Sequence, residues 1–191
     1  MGAGALGSRL LDILACQGYY PTIVDCDKVE RHNLGNQNFS PSDIGKLKAV
    51  QAANNVYRRL GVSVQSIAKK VTEDNVDKIV SDKHLVVDMF DNIESRTLVK
   101  QACKRLNVPC LHCAMSHDGF SEVEWSDFYP IEKFTSVERD DEPCEYPLAV
   151  NLVLFTVSFA SEVINEFVDN GIKKSVQFTL RDMHTDVLKR S

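Results

Sequence analysis

Residues 1–10 read MGAGALGSRL, a Gly2-x-Gly4-x-x-Gly7 turn that runs straight into apolar positions of helical spacing. Glycines in this pattern permit a tight turn, a close approach of backbone N–H groups to a phosphate, and close packing of the following helix. The helix N-terminus adds partial positive charge, so an anion is the ligand that such a loop suits. Leu6, Leu10, Ile13, Leu14 and Gln17 keep the helical period until Gly18 stops it. YYPTIVD (19–25) is then a short β-rich run ending in an acid. Asp25 stands 18 residues after Gly7, where a carboxylate that grips ribose hydroxyls belongs. Alone, turn and acid permit a nicotinamide or flavin enzyme, and equally a glycine turn with no ligand.

Strand and helix keep alternating beyond that acid. Ile44, Leu47, Val50, Ala53, Val56 and Leu60 mark a second amphipathic helix ending at Gly61. VSVQSIA (62–68) reads as a strand, and a short helix follows around 75–80. HLVVDMFD (84–91) is an apolar strand running into acids, then come a helix over 93–106, the strand CLHCAM (110–115) and the alternating SEVEW (121–125). This order predicts an α/β, Rossmann-like fold with a mostly parallel sheet and helices on both faces. After Asn107 the strands crowd together, which predicts antiparallel pairing toward the C-terminal half. DFYPIEKFTSVERDDEPCEYP (127–147) reads as a long loop rich in acids and prolines, and loops of that length are functional or disordered. An apolar helix over 148–168 and a last strand SVQFTLRDM (175–183) complete the pattern.

The chain of 191 residues is sized for one domain, whose pattern changes between 1–107 and 108–191. Its formal charge of −5 and lack of any Lys/Arg cluster argue against nucleic acid. No start resembling a signal peptide is present, and the apolar stretch 147–160 falls short of the ~20 residues of a bilayer span. The expectation is a cytoplasmic protein without membrane attachment. Six cysteines without framework spacing read as reduced thiols. Cys110 and Cys113 form a C-x-x-C, but residues three apart on a strand face opposite ways, and a second ligand pair is lacking, so zinc is not expected.

The run VDCDKVERHNLGNQNFSPSDIGKLKA (24–49), followed by VVDMFDNIESR (86–96), decides between the open readings. Asp-x-Asp, Asn-Leu-x-x-Gln, Gly-x-x-Lys and Asp-Asn-x-x-x-Arg follow the glycine turn in that order. This compound signature resembles the ThiF/MoeB/HesA family, the adenylating domain also found in ubiquitin-activating enzymes. The resemblance implies that Mg·ATP adenylates the C-terminal carboxylate of a small ubiquitin-like or sulfur-carrier protein ending in Gly-Gly, with release of pyrophosphate. It also implies roles. Gly2, Gly4 and Gly7 cradle phosphate and Asp25 holds the ribose. Asn33, Gln37 and Lys48 contact the triphosphate, with Lys48 as the point charge at the pentavalent centre. Asp91 binds Mg²⁺, and Asn92 lies beside the nucleotide. A hard cation wants a carboxylate plus phosphate oxygens, so one Asp suffices. Such catalysis is positioning and charge neutralisation. The resemblance further implies a nucleotide-binding half (1–107), a partner-binding half (108–191) with the crossover loop 127–147, and homodimers or heterodimers.

Each assignment has a plainer counterpart. Lys48 taken alone is a solvated helix lysine, Asp91-Asn92 is a helix cap, and Arg96 is the partner of a carboxylate. His32 and His112 read as turn and core residues.

The chain also departs from the family pattern. The usual Asn-Leu-x-Arg-Gln carries Asn36 in place of its arginine, and an amide does not replace a delocalised cation at developing negative charge. Either a partner subunit supplies an arginine, or the chain is slow, or it is a catalytically impaired scaffold paired with an active subunit. Related proteins also have a hydrophobic strand before the glycine turn. Its absence from this numbering suggests a late start within a longer polypeptide; a complete chain would have to rearrange its sheet or borrow a strand. Cys144, in DDEPCEYP, occupies a place where some family members hold a transfer thiol. The neighbouring Asp140, Asp141, Glu142 and Glu145 oppose its ionisation. A nicotinamide-dependent oxidoreductase ranks last, since it gives Asn33, Gln37, Lys48 and Asp91 no role.

Overall fold

The computed structural model describes residues 1–116, 118–128 and 149–190. Helix α1 (Ala5–Cys16) starts inside the glycine turn and buries Leu6, Leu10, Leu11 and Leu14. Strand β1 (Thr22–Val24) pairs in parallel with β2 (Gln65–Ile67), and α2 (Lys48–Leu60) connects them. Gly61 ends α2 at φ 70°, a left-handed conformation that costs a residue without Cβ little. Then come α3 (Glu73–Val80), β3 (Val86–Asp88), α4 (Ile93–Leu106) and β4 (Cys110–Met115), which lies parallel to β3. From β4 onward the pairing is antiparallel through β5 (Phe120–Trp125), β6 (Lys173–Thr179) and β7 (His184–Arg190).

Helices cover both faces, as strand–helix alternation implies. On one face α1 and α5 (Ala149–Asn170) close over Val87, Leu111, Cys113, Val123, Trp125, Val176 and Phe178. On the other, α3 and α4 enclose Val76, Val80, Val99, Ala102 and Cys110. Cys110 and Cys113 thus sit in different cores. Trp125 is fully buried, donates its indole N–H to the Lys174 carbonyl at 2.9 Å, and packs on Phe167 with ring centroids 4.6 Å apart. By length and composition α5 could cross a membrane, yet Leu152, Val153, Val157, Ala160, Val163 and Ile164 are buried in the core.

Two sequence expectations need correction. Residues 44–47 are not helical: Lys28 and Leu47 form a β-bridge, Val29 donates to the Lys46 carbonyl, and Gly45 donates to that of Val29. Their backbone is therefore tied to 27–29, Ile44, Leu47 and Val50 are exposed, and α2 buries Ala49, Gln51, Ala52 and Val56 instead. The single last strand is a hairpin, β6–β7. Strand β7 is exposed along its described side chains, with Val187 and Leu188 adjacent after three polar residues, so it lacks the alternation that marks a half-buried strand.

β1 and β3 belong to separate sheets. Between them lies a cavity of about 870 Å³ lined by Val24, Val64, Leu85, Val86, Phe90 and neighbouring side chains. The Met1 carbonyl accepts the Val24 N–H at 2.8 Å, so the residue before the turn already runs alongside β1.

Candidate active site

The glycine turn is built for close approach. A Cβ on Gly7 would stand 1.6 Å from the Gly2 carbonyl oxygen, so only glycine closes the turn. A Cβ on Gly4 would meet nothing within 4 Å, so the turn opens there onto free space. Gly4 is also the N-cap of α1, with no side-chain cap and no acid in the first turn. A helix start without a side-chain cap or an acid of its own suits an incoming anion.

Asp25 leaves the end of β1 and ties this turn to the next motif. Its Oδ2 accepts the Ala3 N–H and its Oδ1 the Asp27 N–H, each at 2.8 Å. Burial pushes its carboxyl above the usual range, although these N–H groups and Lys48 pull the other way. Each oxygen still has a lone pair for a ligand hydroxyl. The Asp27 carbonyl accepts the Lys48 N–H at 2.8 Å, and Lys48 Nζ lies 3.5 Å from Asp27 Oδ2. Lys48 is not a solvated helix lysine: its side chain is only 11% exposed and stands at the first residue of α2.

The loop carrying Asn33, Asn36 and Gln37 packs over the start of α1. Asn33 is buried, and its Oδ1 accepts the Glu30 N–H at 2.8 Å, which shapes the short 3₁₀ turn Arg31–Leu34. Asn38 donates its N–H to Ser8 Oγ at 3.0 Å and its amide to Asp12. Arg9 Nε donates to the Asn36 carbonyl at 3.0 Å. A guanidinium therefore does stand at Asn36, contributed by α1 rather than by the loop. The Gln37 side-chain oxygen is buried and takes no hydrogen bond from the described protein.

Past the end of β3, Asp91 exposes its carboxylate and Asn92 donates to its Oδ1 at 3.4 Å. Asn92 Oδ1 caps α4 by accepting the Ser95 N–H at 2.8 Å, so the helix-cap reading of Asn92 holds. Arg96 is buried and donates to the Phe90 carbonyl. His112 is also buried, with Nδ1 2.9 Å from Asp88 Oδ2. His32 is half exposed and lies 3.4 Å from Glu30 in the loop turn.

The motif segments are thus stitched to one another. Asp25 joins the turn to Asp27 and Lys48, and Ser8 and Arg9 join it to the Asn36 loop. The Phe90 ring, 3.4 Å from a Cβ built on Gly2, joins it to the Asp91 segment. Arg9 and Asp88 were not singled out by spacing, although Arg9 is a cation two residues after the last glycine of the turn; Asp27 and Arg96 stood in the ordered motifs without an assigned role, and His112 read as a core residue. Cys144 and most of the crossover loop 127–147 lie outside the described residues. The Cys113 thiol is fully buried, and burial pushes it far above its ordinary value, which makes it inert.

The sequence model of the ThiF family matches residues 1–128 of this chain. The chain belongs to the ThiF family. It is 37% identical over 119 residues to the SAMP-activating enzyme E1 of Haloferax volcanii, covering 60% of this chain and 44% of that protein. It is 33% identical over 120 residues to the sulfur carrier protein ThiS adenylyltransferase of Bacillus subtilis, covering 60% of this chain and 35% of that one. The chain therefore spans less than half the length of these curated relatives. Among solved structures, Escherichia coli MccB with succinimide superposes with a TM-score of 0.81 at 18% identity, over 100% of this chain and 62% of that one. MccB with ATP gives a TM-score of 0.79, also at 18% identity, over 99% of this chain and 62% of that one. These likenesses show that this ThiF-family chain has the MccB-type α/β fold.

Proposed function

We propose that this ThiF-family chain uses Mg·ATP to adenylate the C-terminal carboxylate of a small ubiquitin-like or sulfur-carrier protein ending in Gly-Gly. The observation that carries this reading is the stitching of every motif segment to one glycine turn, with open space at Gly4 and a nearly buried Lys48. The names of the relatives, which activate SAMP or adenylate ThiS, support the partner class.

The residues fit a Mg·nucleotide. The open side of Gly4 and the uncapped start of α1 accept phosphate. The remaining lone pairs of Asp25 would accept from the ribose hydroxyls, and the buried Gln37 side-chain oxygen, which takes no hydrogen bond from the described protein, would accept one from the ligand. Bound Mg²⁺ neutralises phosphate charge, and Asp91 is the residue to hold it. A carboxylate oxygen of the partner attacks the α-phosphorus as the bond to the bridging oxygen breaks, giving an acyl-adenylate and pyrophosphate. No general base is needed, because the nucleophile is already ionised. Lys48 and Arg9 bring positive charge to the phosphates as negative charge moves onto the leaving group. Cytosolic work as a homodimer or heterodimer is part of the proposal.

The test is exchange of labelled pyrophosphate into ATP in the presence of a carrier protein ending in free Gly-Gly. The reading predicts exchange with the free carboxylate and none with the same carrier amidated at its C-terminus. Binding of Mg·ATP without exchange favours the second reading, a non-catalytic subunit, which Asn36 in the usual arginine position supports.

A further inference from the structure

Strand register sets Asp88 of β3, His112 of β4 and Glu124 of β5 opposite one another in a single cross-strand row. They are 5%, 1% and 5% exposed, and Arg96 of α4, also buried, lies beside His112. Burying ionisable groups is unfavourable unless each is well bonded, and an apolar replacement often serves stability as well or better. Stability alone is therefore a poor reason for this row.

What the row grips is one residue, through the peptide groups on either side of Phe90. Asp88 Oδ1 accepts the Phe90 N–H at 3.1 Å, and Arg96 Nε donates to the Phe90 carbonyl. His112 bridges the two arms: Nδ1 is 2.9 Å from Asp88 Oδ2, and Nε2 faces Arg96 Nη1 at 3.5 Å and Glu122 Oε1 at 3.9 Å. Burial lowers the His112 pKa, against the pull of Asp88, and keeps the ring neutral. One proton on Nδ1 then goes to the carboxylate, which only accepts, and Nε2 is left to accept from the guanidinium. The residue after Phe90 is Asp91, and the one after that caps α4. Side chains therefore fix the backbone on both sides of Asp91.

We infer that His112 is a positioning residue: through Asp88 and Arg96 it clamps the Phe90 backbone on both sides of its Cα and so sets where the Asp91 carboxylate meets the metal of the bound nucleotide. This rests on the proposed function for its consequence at Asp91, but the clamp itself does not.

The test uses the full chain with His112→Leu, which breaks the bridge, and His112→Asn, whose side-chain N–H takes the place of Nδ1–H toward Asp88. Two quantities are read. The first is hydrogen exchange of the Phe90 amide without ligand; the second is the Mg²⁺ concentration that half-saturates pyrophosphate exchange. In His112→Leu the Phe90 amide should exchange faster while amides of α1 and α5 do not, and half-saturating Mg²⁺ should rise roughly 10–100-fold. The ATP KM at saturating Mg²⁺ should stay at its wild-type value, and His112→Asn should bring both quantities back toward wild type. Unchanged Phe90 protection and unchanged Mg²⁺ dependence in folded His112→Leu would overturn the inference. If that variant does not fold, His112→Ala gives the same decision, since it also removes both ring nitrogens. A wild-type chain that binds no Mg·ATP would sink the functional reading, and Phe90 protection would then decide the clamp by itself.

Discussion

Strands β4 and β5 carry opposite chemistry on their two faces. Leu111, Cys113, Val123 and Trp125 point into the apolar core under α1 and α5. His112 and Glu124, on the same strands, join Asp88 in a buried charged row on the α4 side. Period-2 alternation makes this possible, because neighbouring residues serve different layers. The apolar face supplies stability through area removed from water. The charged face adds little of that and fixes the segment that ends in Asp91. Stability and site geometry are thus drawn from adjacent residues and should separate on mutation.

Trp125→Ala should show the largest effect and should fall on stability. Truncating this fully buried ring costs about 3–5 kcal/mol, read as a drop in the urea midpoint, while Mg·ATP affinity of the folded fraction is kept. Lys48→Ala should do the reverse. Pyrophosphate exchange should fall ~10²–10³-fold with a near-wild-type urea midpoint, because its ion pair with Asp27 is at the surface on the aspartate side. A large loss of stability in Lys48→Ala would break the separation.

The charged face should declare itself through pH. His112 is faced by Asp88, Glu122, Glu124 and Arg96, and burial holds its folded pKa below the ordinary 6.5. The unfolded chain then binds the extra proton first as pH falls. Stability is fully present above about pH 6.5 and is lost as pH drops from there toward the lower folded pKa, with a slope of at most one proton. Urea midpoints between about pH 5 and 7.5 should show this fall in wild type and a flatter profile in His112→Asn. Smallest is Asn92→Ala, which removes the α4 cap and should cost about 1 kcal/mol in the same assay.

Local pattern made much of this legible in the sequence. The strand CLHCAM and the helix over 93–106 stand where spacing puts them. Residues 44–47 misled because their apolar side chains keep a helical period while their backbone is claimed by 27–29. Strand β7 escaped notice because an exposed edge strand has no core to pattern it. At the site, ordered motifs identified the segments but not their partners. Asp88 and His112 are 24 residues apart and Arg96 and His112 are 16 apart, so their meeting is a product of register and helix packing. Arg9 beside Asn36 arises likewise, from a loop folded back onto α1.

The account stands or falls on the nucleotide. Calorimetric titration of the chain with Mg·ATP, beside NAD⁺ under the same conditions, tests it most directly. The account predicts saturable binding of Mg·ATP, weakened in Lys48→Ala, and no binding of NAD⁺. Preference for NAD⁺, or no binding of Mg·ATP by folded protein, would contradict it.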